Sequence, residues 1–445
     1  MIRIFLLLGT VFLLFAPGVR AEGLKAEGFT MENGLQVRVV EYHRAPVVTH
    51  MIWLRTGAAD DPPRRSGTAH YLEHMMFKGT PTVPDGEYTK RIERLGGEHN
   101  AFTGADFTSY YVTIAKEHLA EVMELEADRM QHLAPDGFDS EREVIIEERR
   151  SRIDNQPEAL LAEKMAAKLF AGHPYHIPII GWREEMARLS KEDVMEYYHT
   201  HYHANAAVLV LVGDITLPEA KALAEKYYAD WSPANLPGRN WPAYTPLKKA
   251  EKVTFSHPEV RQSEWARDYP AASLVWGQKK TTFALMLLAD LVGGGRTGWL
   301  YQRLVVERKL AVAANASYSP FSVGPATFGM SLVPAKDVTL ATLEAAYQEE
   351  LQAFLAKPIA PRDLERVKNS LKAAAIYVRD GLQGQSYILG QLLMLGFDET
   401  FFTDWTKNID AVTADDIKAA ARATLQDSRA VTGWLLPGKT AGATP

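Results

Sequence analysis

Two capped helix–strand units recur in this 445-residue chain at one fixed interval, and that recurrence limits the folds open to it more than any other feature. Ser190-Lys191-Glu192-Asp193-Val194 opens a helix leading to the apolar strand Ala207–Gly213, and Thr413-Ala414-Asp415-Asp416-Ile417 opens another leading to residues 430–436. Each start has a hydroxyl N-cap and an acid three residues on, a capping-box arrangement. The same 223 positions separate Ser190 from Thr413 and Ala207 from Ala430. So long an interval lies outside solenoid periods and implies duplicated domains. Proline and tryptophan gather between Asp230 and Lys252, around Trp231, Pro233, Pro237, Trp241 and Pro242, in what reads as an extended linker. The expected organisation is residues 1–21 as a leader, 22–233 and 251–445 as the two domains, and 234–250 between them.

The leader reads as a secretory signal peptide: Arg3 supplies an early charge, an apolar run extends through Phe15, and Pro17, Gly18 and Ala21 close it with small residues. It is short for a membrane span, and no later segment approaches about 18 uninterrupted apolar residues, so no stable membrane insertion is expected. The chain has no cysteine, which excludes a lipoprotein anchor, disulfides and thiolate metal ligands. A formal net charge of −6 does not suggest nucleic acid as a partner. A periplasmic or secreted protein held together by its hydrophobic core fits these features, and 47% hydrophobic residues supply that core.

Chemistry concentrates in His70-Tyr71-Leu72-Glu73-His74, an H-x-x-E-H sequence. On a helix, residues four apart lie one turn apart on one face, so His70 and His74 can both reach one Zn²⁺. Glu73 then falls beside the metal, placed to accept a proton from water. This order is the signature of the inverted zincins. Catalytic zinc needs a third protein ligand and an open fourth position. The best candidate is Glu148, on a helix expected to open at Asp139 or Ser140 as N-cap. Glu148 shares the core-facing stripe with Val144 and Ile145, and Glu141, seven residues earlier, shares that face. Glu147 turns outward toward Arg150.

On these residues the chain resembles the pitrilysin family of inverzincins, specifically the half-size branch that includes mitochondrial processing peptidase subunits and bacterial relatives. The resemblance implies an α+β fold of two homologous metallopeptidase-like α/β sandwich domains, a duplicated unit facing a cavity. It implies a zinc metalloendopeptidase with one Zn²⁺ per chain on His70, His74 and Glu148, Glu73 as general base and Glu141 as a supporting acid. It also places Asn100, Ala101 and Phe102, after the turn at Gly96-Gly97, on an edge strand that would pair with an extended peptide or unfolded polypeptide.

In many relatives the second half supplies an Arg and a Tyr to the metal site, and the corresponding positions here hold Val305 and Val312. Some half-size peptidases are heterodimers whose metal-free subunit contributes that pair, so a homologous metal-free partner is expected. The alternatives are Arg303 or Tyr318 acting after a register shift, a non-catalytic peptide-binding or scaffold subunit, and a hydrolase acting on something other than peptide. His199, His201 and His203 alternate like ligands on a strand, but they sit where a helix hands over to one and read as packing or capping groups. His173-Pro174-Tyr175-His176 reads as a structural turn. Gly293 to Gly298 lacks the Lys-Ser/Thr ending of a phosphate loop.

Overall fold

The computed structural model describes residues 25–438, so the leader lies outside the described residues. Eleven strands form two sheets. β1 (Ala26–Thr30), β2 (Gln36–Glu41), β3 (Val47–Leu54), β4 (Glu98–Thr103), β5 (Thr108–Ala115) and β6 (Ala207–Gly213) make the first, in the order β1-β2-β6-β3-β5-β4. β7 (Glu251–His257), β8 (Glu264–Ala271), β9 (Ala311–Tyr318), β10 (Ala326–Pro334) and β11 (Val431–Pro437) make the second, in the order β7-β11-β8-β10-β9. Apart from β1, the orders coincide strand for strand. In each, one parallel pair, β2 with β6 and β7 with β11, sits beside antiparallel partners. The fold is α+β and built twice, as the 223-residue interval implies.

Both capping boxes form: Ser190 Oγ accepts from Asp193 N, and Thr413 Oγ1 from Asp416 N. Each helix leads into the sheet position that its copy occupies in the other half. β6 is apolar at every residue and buried throughout, because helices cover both its faces. Leu209 and Leu211 face the core of the first half, while Val208, Val210 and Val212 face the other way.

That other face is covered by the second half. Helix Leu382–Met394 lies on β3 and β6, seating Gly390 against the Trp53 indole. In return, helix Pro157–Leu169 of the first half lies on β7, β8 and β11, where Leu161, Met165 and Leu169 pack with Val253, Val431 and Leu435. The halves therefore exchange one helix each. The segment between Tyr228 and Glu251 contains no regular element, yet it is pinned: the Arg239 guanidinium donates to Asp60 at 2.8 and 3.1 Å and to the carbonyls of Arg55 and Asp106.

Candidate metal centre

After β3 the chain turns through residues 55–67 and enters helix Thr68–Met75. Gly67 caps it at φ 88°, in left-handed space, and a Cβ there would also meet the Ile180 carbonyl at 2.6 Å. The buried Asp61 carboxylate accepts from Gly67 N at 2.7 Å and Ala69 N at 2.8 Å, satisfying two N-terminal donors of the helix. Ala69, Tyr71, Leu72 and Met75 enter the core, which leaves His70, Glu73 and His74 on the opposite face.

The second helix runs Phe138–Arg149 and is capped by Gly137 at φ 68°, not by Asp139 or Ser140. The Ser140 hydroxyl instead donates back to the Gly137 carbonyl, so the glycine's left-handed backbone opens the helix. Val144 is also displaced from its expected place in the core. It is half exposed and lines the cavity above the site, while Ile145 packs inward. Glu147 is exposed and pairs with Arg150 at 2.8 Å, as its spacing implied.

These two helices bring His70, His74 and Glu148 together, with one ligating atom from each within 4.8 Å of the others. Glu148 Oε2 stands 3.2 Å from His74 Nε2 and 3.6 Å from His70 Nε2. Ligands at 2.0–2.2 Å around a tetrahedral zinc are about 3.4 Å apart, so this donor set fits that ion. The imidazoles lie in a T-shaped contact with centroids 4.9 Å apart.

His74 and Glu148 are oriented from behind, whereas the buried His70 Nδ1 has no partner among the described residues. His74 Nδ1 donates to Glu141 Oε1 at 2.8 Å, and Lys78 holds the other Glu141 oxygen at 2.6 Å. Glu141 thus sits behind His74 and leaves Nε2 for the metal position, the usual carboxylate–histidine support. Arg152 holds Glu148 Oε1 at 2.6 Å and so turns Oε2 inward. Burial and the neighbouring His74 push His70 down to about 4. Burial also works against a proton on His74, but hydrogen bonds to Glu141 and Glu148 outweigh it and raise that imidazole to about 9. Burial raises Glu73, partly offset by the Thr103 hydroxyl, which donates to Glu73 Oε2 at 2.5 Å.

Thr103 ends β4, the strand at the free edge of the first sheet. Asn100, Ala101 and Phe102 all line the cavity of ≈ 800 Å³ that holds the metal ligands. Asn100 is exposed and its side-chain oxygen accepts from Ala101 N at 2.8 Å; the Phe102 ring points away from the ligands and packs on Trp53 and Tyr387. Sequence reasoning missed Asp61, Lys78, Thr103 and Arg152. Only Arg152 carried a local signal, its i+4 spacing from Glu148.

The cavity is lined by residues from His70 to Ile180, with none from the second half among the described residues. Val305 is half-buried against the second-half core and Val312 is 52% exposed. Neither proposed substitute reaches the site: Arg303 binds Glu350 at 2.9 Å, and Tyr318 donates to the Ala272 carbonyl. The other polar clusters serve structure. His203 Nε2 donates to the His199 carbonyl at 2.8 Å, His201 stacks on Tyr197, and His173 accepts from Tyr175 N within its turn. Gly293 packs against β9 at Ala316.

Residues 37–182 match the family profile described as insulinase (peptidase family M16), and residues 188–371 match that of the peptidase M16 inactive domain. The chain belongs to peptidase family M16, the pitrilysin family. It is similar to zinc protease PqqE of Helicobacter pylori, at 28% identity over 93% of each chain. It is also similar to the mitochondrial-processing peptidase subunit beta of Lentinula edodes, at 27% identity over 89% of this chain and 87% of that one. Among solved structures, a protease from Helicobacter pylori superposes with a TM-score of 0.87 at 24% identity, covering 94% of this chain and all of that one. The first half of the periplasmic protease PqqL from Escherichia coli gives 0.77 at 19% identity, covering 94% of this chain and 93% of that one. His70, Glu73, His74 and Glu148 all fall in the first matched segment, while the second segment carries the match to the inactive domain.

Proposed function

We propose that this protein is a zinc-dependent endopeptidase that cleaves extended peptides or unfolded polypeptides. The observation that carries this reading is the convergence of His70, His74 and Glu148 beside Glu73, under the free edge of β4. One Zn²⁺ held by those three ligands supplies a Lewis acid for the scissile carbonyl and the attacking water. A substrate chain adds to β4 as a further strand, so main-chain hydrogen bonds hold it whatever its sequence, and Asn100 and Ala101 are the nearest partners. Glu73, its free oxygen turned to the cavity by the Thr103 hydroxyl, takes the proton from water and returns it to the leaving amine. Burial raises this carboxylate and makes it a better base near neutral pH. Glu141, Lys78 and Arg152 keep the ligands aimed.

The chain acts as the zinc-bearing subunit of a pair. What supports this is a cavity lined wholly by first-half residues, with valine at both positions where relatives supply an Arg and a Tyr, and a relative itself named as a subunit. A missing oxyanion donor costs about 10² to 10³ in turnover, so a homologous metal-free partner restores a corresponding factor. The leader places the pair in the periplasm or outside the cell, after removal of residues 1–21, and the two domains then span 22–233 and 251–445.

Purified protein with and without its Glu73→Gln exchange tests the reading on insulin B chain, with zinc content measured in parallel. Chelator-sensitive cleavage that disappears in E73Q while zinc stays near one per chain is expected. A zinc-loaded wild-type chain that cleaves nothing, alone or with its co-purifying partner, sinks the catalytic reading in favour of a binding subunit.

A further inference from the structure

A second cavity, of ≈ 410 Å³, opens on the seam where the first half, the connecting segment and the second half meet. It shares no lining residue with the metal cavity. Its polar groups are Arg55, His201 and Arg239, and no carboxylate lines it. Its walls are otherwise apolar, from Leu236 and Pro237 of the connecting segment to Val275, Val323 and Leu395 of the second half.

The two arginines differ in kind. Arg239 is committed to Asp60 through two hydrogen bonds. Arg55, which follows β3, lines the cavity and forms no side-chain hydrogen bond or ion pair among the described residues. Burial, reinforced by the charge of Arg239, lowers its proton affinity below that of an ordinary arginine, and whereas Arg239 is balanced by Asp60, no described carboxylate is paired with Arg55. Burial and Arg239 also push His201 down to about 4, which leaves it neutral and able to donate one N–H. A half-buried guanidinium without a partner is costly to keep, and a carboxylate matches its planar fork with two parallel hydrogen bonds. The apolar walls favour a ligand whose remaining bulk is hydrocarbon, and disfavour a fully hydrated inorganic anion.

We propose that this seam cavity binds an amphiphilic monocarboxylate, with its carboxylate on Arg55 and its apolar body against Leu236, Val275 and Leu395. An apolar residue at a peptide's free C-terminus and a medium-chain fatty acid share that chemistry. Because the walls come from both halves and the segment between them, an occupant ties the halves together and stabilises the folded chain.

Calorimetric titration of the full chain tests this with four probes: octanoate, N-acetylleucine, octan-1-ol and inorganic phosphate. Saturable one-site binding of octanoate, N-acetylleucine or both is expected, with octan-1-ol and phosphate weaker by about tenfold or more. Octanoate alone identifies the lipid-like source, and N-acetylleucine alone the peptide terminus. Arg55→Gln is expected to weaken binding at least about tenfold, while Arg55→Lys, which keeps the charge but not the planar fork, falls between it and wild type, with the unfolding midpoints of both variants recorded without ligand. Should R55Q fold poorly, Val275→Glu at a 43% exposed wall position introduces a competing carboxylate and is expected to abolish binding. The proposal fails if neither carboxylate saturates, if octan-1-ol or phosphate matches the better carboxylate, if a folded R55Q binds like wild type, or if V275E does. None of these readouts depends on zinc or on cleavage, so they stand apart from the peptidase reading.

Discussion

The two halves share one strand order and diverge in what they place on it. In the first, the helix after β3 is short and presents His70, Glu73 and His74 to a cavity. In the second, the helix after β8, Lys279–Gly293, is nearly twice as long and buries Phe283, Leu285, Leu287, Leu288 and Leu291. The difference extends into the sheets. Trp53 pairs with Val208 on β6, and the equivalent register position, opposite Val431 on β11, is Asp268. A duplicated scaffold needs only one metal site. The second copy instead packs, and its helix Leu382–Met394 completes the core beneath β3 and β6 of the first half.

The largest expected effect separates those two helices. Exchange of His74 for Ala is expected to remove the zinc and lower cleavage by about 10³-fold or more. Leu287→Ala in the counterpart helix is expected to leave zinc content unchanged and cost about 2–5 kcal/mol of stability. Metal analysis and denaturant titration of both variants check this, and zinc loss in L287A would break the division of labour.

Next comes a charge buried in the first half's core, whose second-half counterpart in kind, Arg267, has two acidic partners, Glu344 and Asp427. Arg129 lies among the rings of Phe77, Tyr88 and Tyr110, and among the described residues Glu126 is its one ionic partner. Glu126→Gln leaves a buried guanidinium uncompensated and is expected to cost about 3–5 kcal/mol. The pH dependence has a definite sign. Burial acts to raise the Glu126 carboxylate, Arg129 outweighs it, and the net value falls below the ordinary 4.5. A carboxylate lowered by folding adds stability that is complete above its unfolded value and is lost as pH falls through its folded value. Wild type should therefore lose stability relative to E126Q on acidification below about pH 4.5, and parallel melting curves from pH 7 to pH 3 would show it.

Smaller effects sharpen the comparison within the site and across the seam. Glu141→Gln is expected to weaken zinc affinity or turnover about 10- to 100-fold, since it loosens the support behind His74. Competition with a chelator reads the first and initial rates the second. The contacts of the exchanged helices supply a pair of glycines, Gly390 on helix Leu382–Met394 and Gly433 on β11 beneath helix Pro157–Leu169. A Cβ at Gly390 falls on the rigid Trp53 indole, whereas one at Gly433 meets the flexible end of Met165. Gly390→Ala is expected to cost about 1–3 kcal/mol and Gly433→Ala distinctly less, by chemical denaturation. Equal costs would mean that the rigid indole and the flexible methionine make no difference to how the two contacts tolerate a methyl group. Thr103→Val, which removes the hydroxyl from Glu73, should be mildest, costing about 1 kcal/mol of transition-state stabilisation with zinc content intact.

Much of this was legible in advance because its signals are local. The capping boxes at Ser190 and Thr413, the apolar run of β6, and the spacing of His70, Glu73 and His74 each depend on residues a few positions apart, where helix and strand geometry act directly. The interval between copies then disclosed the duplication. The start of the Glu148 helix misread because Asp139 and Ser140 satisfy the usual N-cap pattern, while Gly137 could take a left-handed backbone that they could not adopt as easily.

The sequence by itself determined which residues could hold a metal, and that there are two copies of one design. Only the tertiary structure decided that each half lends a helix to the other, that Asp61, Lys78, Thr103 and Arg152 surround the candidate site, and that Arg55 has no side-chain partner among the described residues. The reason is physical: periodicity records which face of an element is apolar, but not which distant surface covers it. A charged side chain's role is set by whatever group the folded chain places within about 3 Å of it.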